Sequence, residues 1–218
     1  DVFATASHQN AAKAQEAGLL NDIISVQLPP NFTAITKDNG VRGDSTVEKM
    51  AKLKPAFDKY VGTITAANAS FLTDGATAVL LTSEDKAKEL GLTPKAEIVD
   101  YAFTGGDLYE ELLLGPAYSI AAVLKQTGLT IADIDVFEIH EAFAGQVLAN
   151  LNALKSAEWC KKQLGLDAPI GQIPLNKVNT WGGSLAIGHP FGATGGRLIT
   201  MAANRLQKEG GKYALLAA

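Results

Sequence analysis

The chain has 218 residues, 47% of them hydrophobic and 19% charged, with a formal net charge of −4 at pH 7. That length supports one large domain or two modest ones, and the negative balance argues against a dedicated nucleic-acid binder. The single cysteine, Cys160, rules out an internal disulfide and points to a reducing compartment, and no apolar run reaches the roughly 18–20 residues that span a bilayer.

The opening DVFATASHQNAAKAQEAG has no initiator methionine, basic n-region or apolar h-region. It reads as a helix with Phe3, Ala6 and Asn10 or Ala11 at helical spacing, and His8, among polar neighbours, reads as a surface residue. LPPNFTAITKDNGVRGDS is an irregular, looped excursion, after which Ser45 or Thr46 is predicted to cap a short helix ending before Pro55. From Val61 onward short strands and helices alternate. VGTITA, GATAVLLTS and KAEIVDYAF are predicted strands, and SEDKAKELG is a predicted helix closed by Gly91. GPAYSIAAVLKQTG is predicted as a helix with Pro116 in its first turn and Gly128 at its end. DVFEI reads as a buried strand and EAFAGQVLANLNAL as a helix presenting Phe143, Val147, Leu151 and Leu154 on one face. Leu198 to Leu206 is predicted helical and KYALLAA a last strand. Strands separated by helices imply a layered α/β domain. Both ends of the chain read as those of a fragment.

The chemistry concentrates on two histidines. His140 stands between the strand DVFEI and the helix that follows, where α/β proteins display functional side chains. A helix N-terminus there disfavours a positive charge, which suits a neutral imidazole that donates a hydrogen bond. His189 lies in NTWGGSLAIGHPFGATGG, where six of eighteen residues are glycine. Metal chemistry is disfavoured, because HEAFA has Ala144 where a zinc-protease helix needs its second histidine, and no Cys-x-x-Cys accompanies it. GATGGR lacks the Gly-Lys-Ser/Thr ending of a phosphate loop, and no strand–turn–helix dinucleotide fingerprint is present. Ser184 lacks the spacing of a nucleophile elbow, and Cys160, in the amphipathic AEWCKKQLG, suits packing better than reaction. Two histidines on glycine-permitted turns suit acid/base and oxyanion work, with no convincing internal nucleophile.

HEAFAGQ together with GGSLAIGHPFGATG closely resembles the C-terminal half of the thiolases, and DSTVEKMAKLKPAF, GTITAANASFLTDGA and LLLGP match thiolase segments in the same order. Thiolases cleave or form 3-ketoacyl-CoA by transferring an acyl group to or from coenzyme A. Where most of them carry Asn-Glu-Ala-Phe, this chain has His140-Glu141-Ala142-Phe143. That histidine version, with Phe71, is similar to thiolase subunits of the trifunctional fatty-acid oxidation type and their bacterial counterparts.

The resemblance implies a layered thiolase fold, with a mixed sheet between helices. It implies that residues 1–60 form part of a loop domain and that 61–218 form the C-terminal thiolase domain with its last strands missing. It makes His189 the base that activates a nucleophilic cysteine, and His140 a stabiliser of the thioester oxyanion. Arg42, Phe57, Ala66 and Ser70 match positions that contact coenzyme A in relatives. Leu112 and Phe143 match the acyl and pantetheine pocket, although both also suit a core position. The resemblance further implies coenzyme A as substrate with no permanently bound cofactor or metal. The implied partners are a second copy and a hydratase/dehydrogenase alpha subunit, with no nucleic acid, and with membrane association only through that complex. The implied compartment is the mitochondrial matrix or inner membrane surface in a eukaryote, and the cytoplasm in a bacterium. The two cysteines of a thiolase have no match here, so the 218 residues alone are expected to be inactive. A ketoacyl synthase shares the Gly-His-x-x-Gly-x-x-Gly turn, but Pro190 and HEAF favour a thiolase. A non-catalytic acyl-CoA binding protein is the alternative from another class.

Overall fold

The computed structural model describes residues 1–218, which divide into two compact units. The first comprises Asp1–Asp74, Glu141–Ala144 and Asn179–His189; the second comprises Gly75–His140, Gly145–Val178 and Pro190–Ala218.

In the first unit, helix α1 (Val2–Glu16) buries Ala4, Ser7, His8, Ala11 and Ala14. Of the expected Phe3, Ala6 and Asn10 or Ala11 face, Ala11 is buried, whereas Phe3 is only half-buried and Ala6 is exposed, so most of the buried stripe lies one position further on. Small side chains explain the phase, because they let a neighbouring backbone approach. A Cβ on Gly182 would sit 2.4 Å from the Cβ of Ala11. The strands β1 (Val26–Leu28) and β2 (Thr33–Ile35) form an antiparallel hairpin with Val26 opposite Ile35. Helix α2 (Val47–Met50) starts where Thr46 Oγ1 accepts the Lys49 N–H at 3.2 Å, a side-chain cap that satisfies one of the first turn's orphan donors. It is followed by turns rather than more helix before Pro55. Ala4, Met50, Ala144 and Leu185 meet in this unit's core, with Phe3 and Ala67 packed at its edge. The short helix α7 (Ser184–Ile187) lies against α1.

In the second unit, strands β3 (Val136–Ile139) and β4 (Ala214–Ala217) pair in parallel, with Val136 opposite Ala214 and Ile139 opposite Ala217. All four residues of β3 are buried, as expected, Glu138 included. Helix α3 (Glu84–Glu89) is capped by Ser83, whose Oγ accepts the Lys86 N–H, and Gly91 follows it in the left-handed region. Helix α4 (Gly115–Thr127) has Pro116 in its first turn and ends at Gly128. Helix α5 (Ala144–Lys155), which belongs to this unit from Gly145 onward, begins three residues later than expected, because Glu141, Ala142 and Phe143 lie outside it; Val147, Leu151 and Leu154 are buried. Ser156 caps helix α6 (Ala157–Leu164), in which Cys160 is fully buried with its Sγ 3.5 Å from the Leu154 carbonyl. Helix α8 (Thr194–Glu209) is longer than expected and lies against both β3 and β4. Its Arg205 is buried and donates to Glu138 Oε1 at 2.7 Å and to the Phe137 carbonyl at 3.2 Å, with Glu209 completing the ion-pair network.

Three expected strands do not form. Residues 61–66, 75–83 and 95–103 make no ladder, and of these only Thr65 joins an isolated bridge, to Pro55. Strand composition is local, whereas a strand is made by hydrogen bonds to a neighbour. These segments pair with no strand of this chain, and they leave Leu80, Val99 and Phe103 exposed.

Candidate active site

The first unit holds Asn179–His189 of the glycine-rich stretch and most of the predicted site. His189 is half-buried and directly follows Gly188, whose φ of +103° is a conformation that side chains rarely adopt. The turn is pinned at this end by Thr73. The His189 N–H donates to Thr73 Oγ1 at 3.2 Å, His189 bridges Leu72 in parallel, and a Cβ on Gly188 would lie 2.2 Å from that same hydroxyl oxygen. The beginning of the turn is fixed by Glu141. Its carboxylate is fully buried and accepts from Asn179 Nδ2 at 2.7 Å, from Ser7 Oγ at 2.7 Å and from the Leu185 N–H at 3.1 Å. Ser7 Oγ in turn accepts the Gly183 N–H at 3.0 Å. Gly183 is required by this approach, since a Cβ there would lie 2.2 Å from the Glu141 carboxyl carbon.

Around the same unit, Phe143 bridges Ala69, the Ser70 N–H donates to the Ala142 carbonyl at 2.9 Å, and the Phe57 and Phe143 rings meet edge to face with centroids 6.1 Å apart. Phe57, 74% exposed, and Ala66 are exposed, while Ser70 is half-buried. Arg42 is exposed and folds back so that Nη1 donates to the Asn39 and Val41 carbonyls, while its backbone N–H donates to His8 Nδ1 at 3.2 Å. His8 is therefore not the surface residue that its polar neighbours suggested. It is 6% exposed, because its face of α1 turns inward, and burial together with the Arg42 charge holds its pKa below the ordinary value.

The second unit carries His140 and Leu112. His140 is half-buried and continues the β3–β4 pairing, its N–H donating to the Ala217 carbonyl at 2.8 Å. It thus stands at the strand end, as expected, although α5 begins four residues on. Leu112 is 64% exposed, so it does not serve the core of this chain. Cys160 packs, as its helix suggested. The residues that the motifs did not single out are Glu141, Ser7, Asn179 and Thr73. A glutamate between a buried strand and a largely apolar helix was the available signal, because a buried carboxylate must find donors. Nothing local named those donors.

The family model described as the N-terminal domain of thiolase matches residues 1–85, and the one described as its C-terminal domain matches residues 92–218. The chain belongs to the thiolase family. It is 54% identical over 218 residues to the mitochondrial trifunctional enzyme subunit beta of Bos taurus, covering 100% of this chain and 46% of that protein. The fold is that of solved thiolases. The acetyl-CoA acetyltransferase of Bacillus anthracis superposes with a TM-score of 0.83 at 38% identity, over 100% of this chain and 52% of its own. Human mitochondrial 3-ketoacyl-CoA thiolase in complex with CoA superposes with a TM-score of 0.80 at 34% identity, over 99% of this chain and 50% of its own. This thiolase chain thus spans about half the length of the relatives it matches, and the layered α/β expectation holds.

Proposed function

We propose that the full-length protein is a 3-ketoacyl-CoA thiolase acting in fatty-acid β-oxidation. The observation that carries this reading is His189, held half-buried on a hydrogen-bonded turn in a chain of the thiolase family. In this reading His189 takes the proton from a cysteine thiol, and the thiolate adds to the 3-keto carbon of the substrate. The bond between the second and third carbons breaks, and the acyl group remains on sulfur. The electron pair stays on the second carbon, which takes a proton from a second, acid/base cysteine so that acetyl-CoA leaves. The thiol of a second coenzyme A then takes the acyl group and frees the cysteine. Cys160, fully buried in α6, does not serve as that nucleophile, which comes from outside these 218 residues. His140 donates to the thioester oxyanion in place of the family's usual asparagine. Arg42 meets the anionic nucleotide end of coenzyme A, with Phe57, Ala66 and Ser70 along the same ligand, and Phe143 and Leu112 line the acyl and pantetheine path.

Residues 1–60 serve as part of a loop domain and 61–218 as the C-terminal thiolase domain. The bovine relative's description as a subunit beta supports assembly with another kind of subunit, which in this reading is a hydratase/dehydrogenase alpha subunit, and the protein also pairs with a second copy of itself. Its mitochondrial description supports the same compartment for a eukaryotic source, and a bacterial source places the protein in the cytoplasm. The test is to incubate the full-length protein with a 3-ketoacyl-CoA and free coenzyme A. Acetyl-CoA and the acyl-CoA shortened by two carbons must appear in equal amounts; no coenzyme A-dependent cleavage rejects the reading.

A further inference from the structure

We propose that Glu141 is a positioning residue for His189, its buried carboxylate fixing the turn from which the imidazole is presented. The inference rests on the reading of His189 as the base. The turn carries glycines at 182, 183 and 188, where no side chain can pack, so at these points the backbone is held by hydrogen bonds, while Leu185 packs into the core of the first unit. Glu141 supplies them at three points along the turn. It takes Asn179 Nδ2 on Oε1, takes the Leu185 N–H on Oε2, and reaches the Gly183 N–H through Ser7, whose hydroxyl donates to Oε2. A carboxylate accepts at both oxygens and donates at neither, which matches a ring of donors better than an amide does. Burying a charge is unfavourable unless it is satisfied, so a fully buried glutamate in this place implies a task that an apolar residue could not perform.

That task is preorganisation. Leu185 lies in α7, and two residues after its end comes His189, whose own N–H is taken by Thr73. Glu141 therefore holds the entry to the turn and Thr73 its exit, and the imidazole sits next to the second anchor. Glu141 itself takes no proton in the reaction. An error of about 1 Å in placing a catalytic group reduces turnover by roughly a hundred-fold, so slackening either anchor acts on the chemical step more than on coenzyme A binding.

The experiment compares full-length wild type, Glu141→Gln, Ser7→Ala and His189→Ala by hydrogen exchange and by steady-state kinetics. In Glu141→Gln the amides of residues 183–188 are expected to exchange at least about ten-fold faster, with the interior of α1 unchanged. Its kcat is expected to fall roughly 10- to 100-fold, with KM for coenzyme A within about three-fold of wild type. Ser7→Ala shows smaller changes in the same direction, and if Glu141→Gln does not fold, Ser7→Ala decides by the same readouts. Wild-type exchange across 183–188 overturns the proposal, and so does faster exchange with unchanged kcat in an active enzyme. If the wild type and His189→Ala are equally inactive, the thiolase reading fails separately, and exchange alone decides whether Glu141 holds the turn.

Discussion

Gly183 lies flat against the carboxyl group of Glu141, so close that a methyl on its Cα would fall 2.2 Å from the carboxyl carbon and 2.4 Å from each oxygen. That contact joins a backbone with no side chain to a buried charge, and neither can change without moving the other. Gly183→Ala is expected to destabilise the full-length protein by about 3 kcal/mol, the upper end for overpacking, because the neighbour displaced is a carboxylate with its donors already in place. A lowered urea midpoint at unchanged slope checks it. A variant as stable as wild type shows that the carboxylate has room to retreat.

The Arg205–Glu138 pair is a second buried commitment, with side chains 1% and 0% exposed. Removing Glu138 leaves the buried Arg205 charge partly orphaned, with only the 35%-exposed Glu209 still paired to it, so Glu138→Ala is expected to destabilise by about 3 kcal/mol, the low end for a broken buried pair. Replacing both residues by apolar ones of similar volume is expected to destabilise far less, because the orphaned charge is gone. Thermal unfolding of the two variants side by side separates these outcomes.

His8 couples stability to pH. Its folded pKa lies below the ordinary value of about 6.5, through burial first and the Arg42 charge second. Between the folded and unfolded pKa values the unfolded chain binds the extra proton, so this group's contribution to stability falls as pH drops below about 6.5 and levels off below the folded pKa. His8→Gln is expected to flatten that part of the stability curve, and unfolding midpoints taken from pH 8 down to pH 5 will show it. An identical slope in wild type and variant removes His8 from the linkage.

If His189 is the base, His189→Ala in the full-length protein lowers thiolytic kcat by about 10²-fold or more. His140→Asn restores the residue most thiolases carry and is expected to keep partial activity, with its loss in kcat rather than in coenzyme A affinity. Near-normal turnover of His189→Ala contradicts its role.

Cys160 is expected to resist thiol reagents in the native protein and to react only on unfolding, because it is fully buried in α6 and close to the Leu154 carbonyl. The rate of labelling with a chromogenic disulfide, with and without denaturant, measures this directly.

Much of this protein can be read from its letters. Thr46, Ser83 and Ser156 mark helix starts and Gly91, Gly128 and Gly165 mark helix ends, because capping and the left-handed turn are satisfied by residues a few positions apart. The strand pattern of β3 and the ordered motifs around His140 and His189 are equally local, and the motifs suffice to identify the family. The tertiary structure decided what depends on distant partners. Residues 75–83 and 95–103 have strand composition but pair with no neighbour in this chain, and His8 lies inside because α1 turns its small-residue face inward. The donors to Glu141 come from positions 7, 179 and 185, up to 134 residues away. Periodicity could mark Glu141 as a charge in an apolar setting. Only the fold could bring those three donors to it, since a hydrogen bond forms between neighbours in space and a sequence records neighbours along the chain.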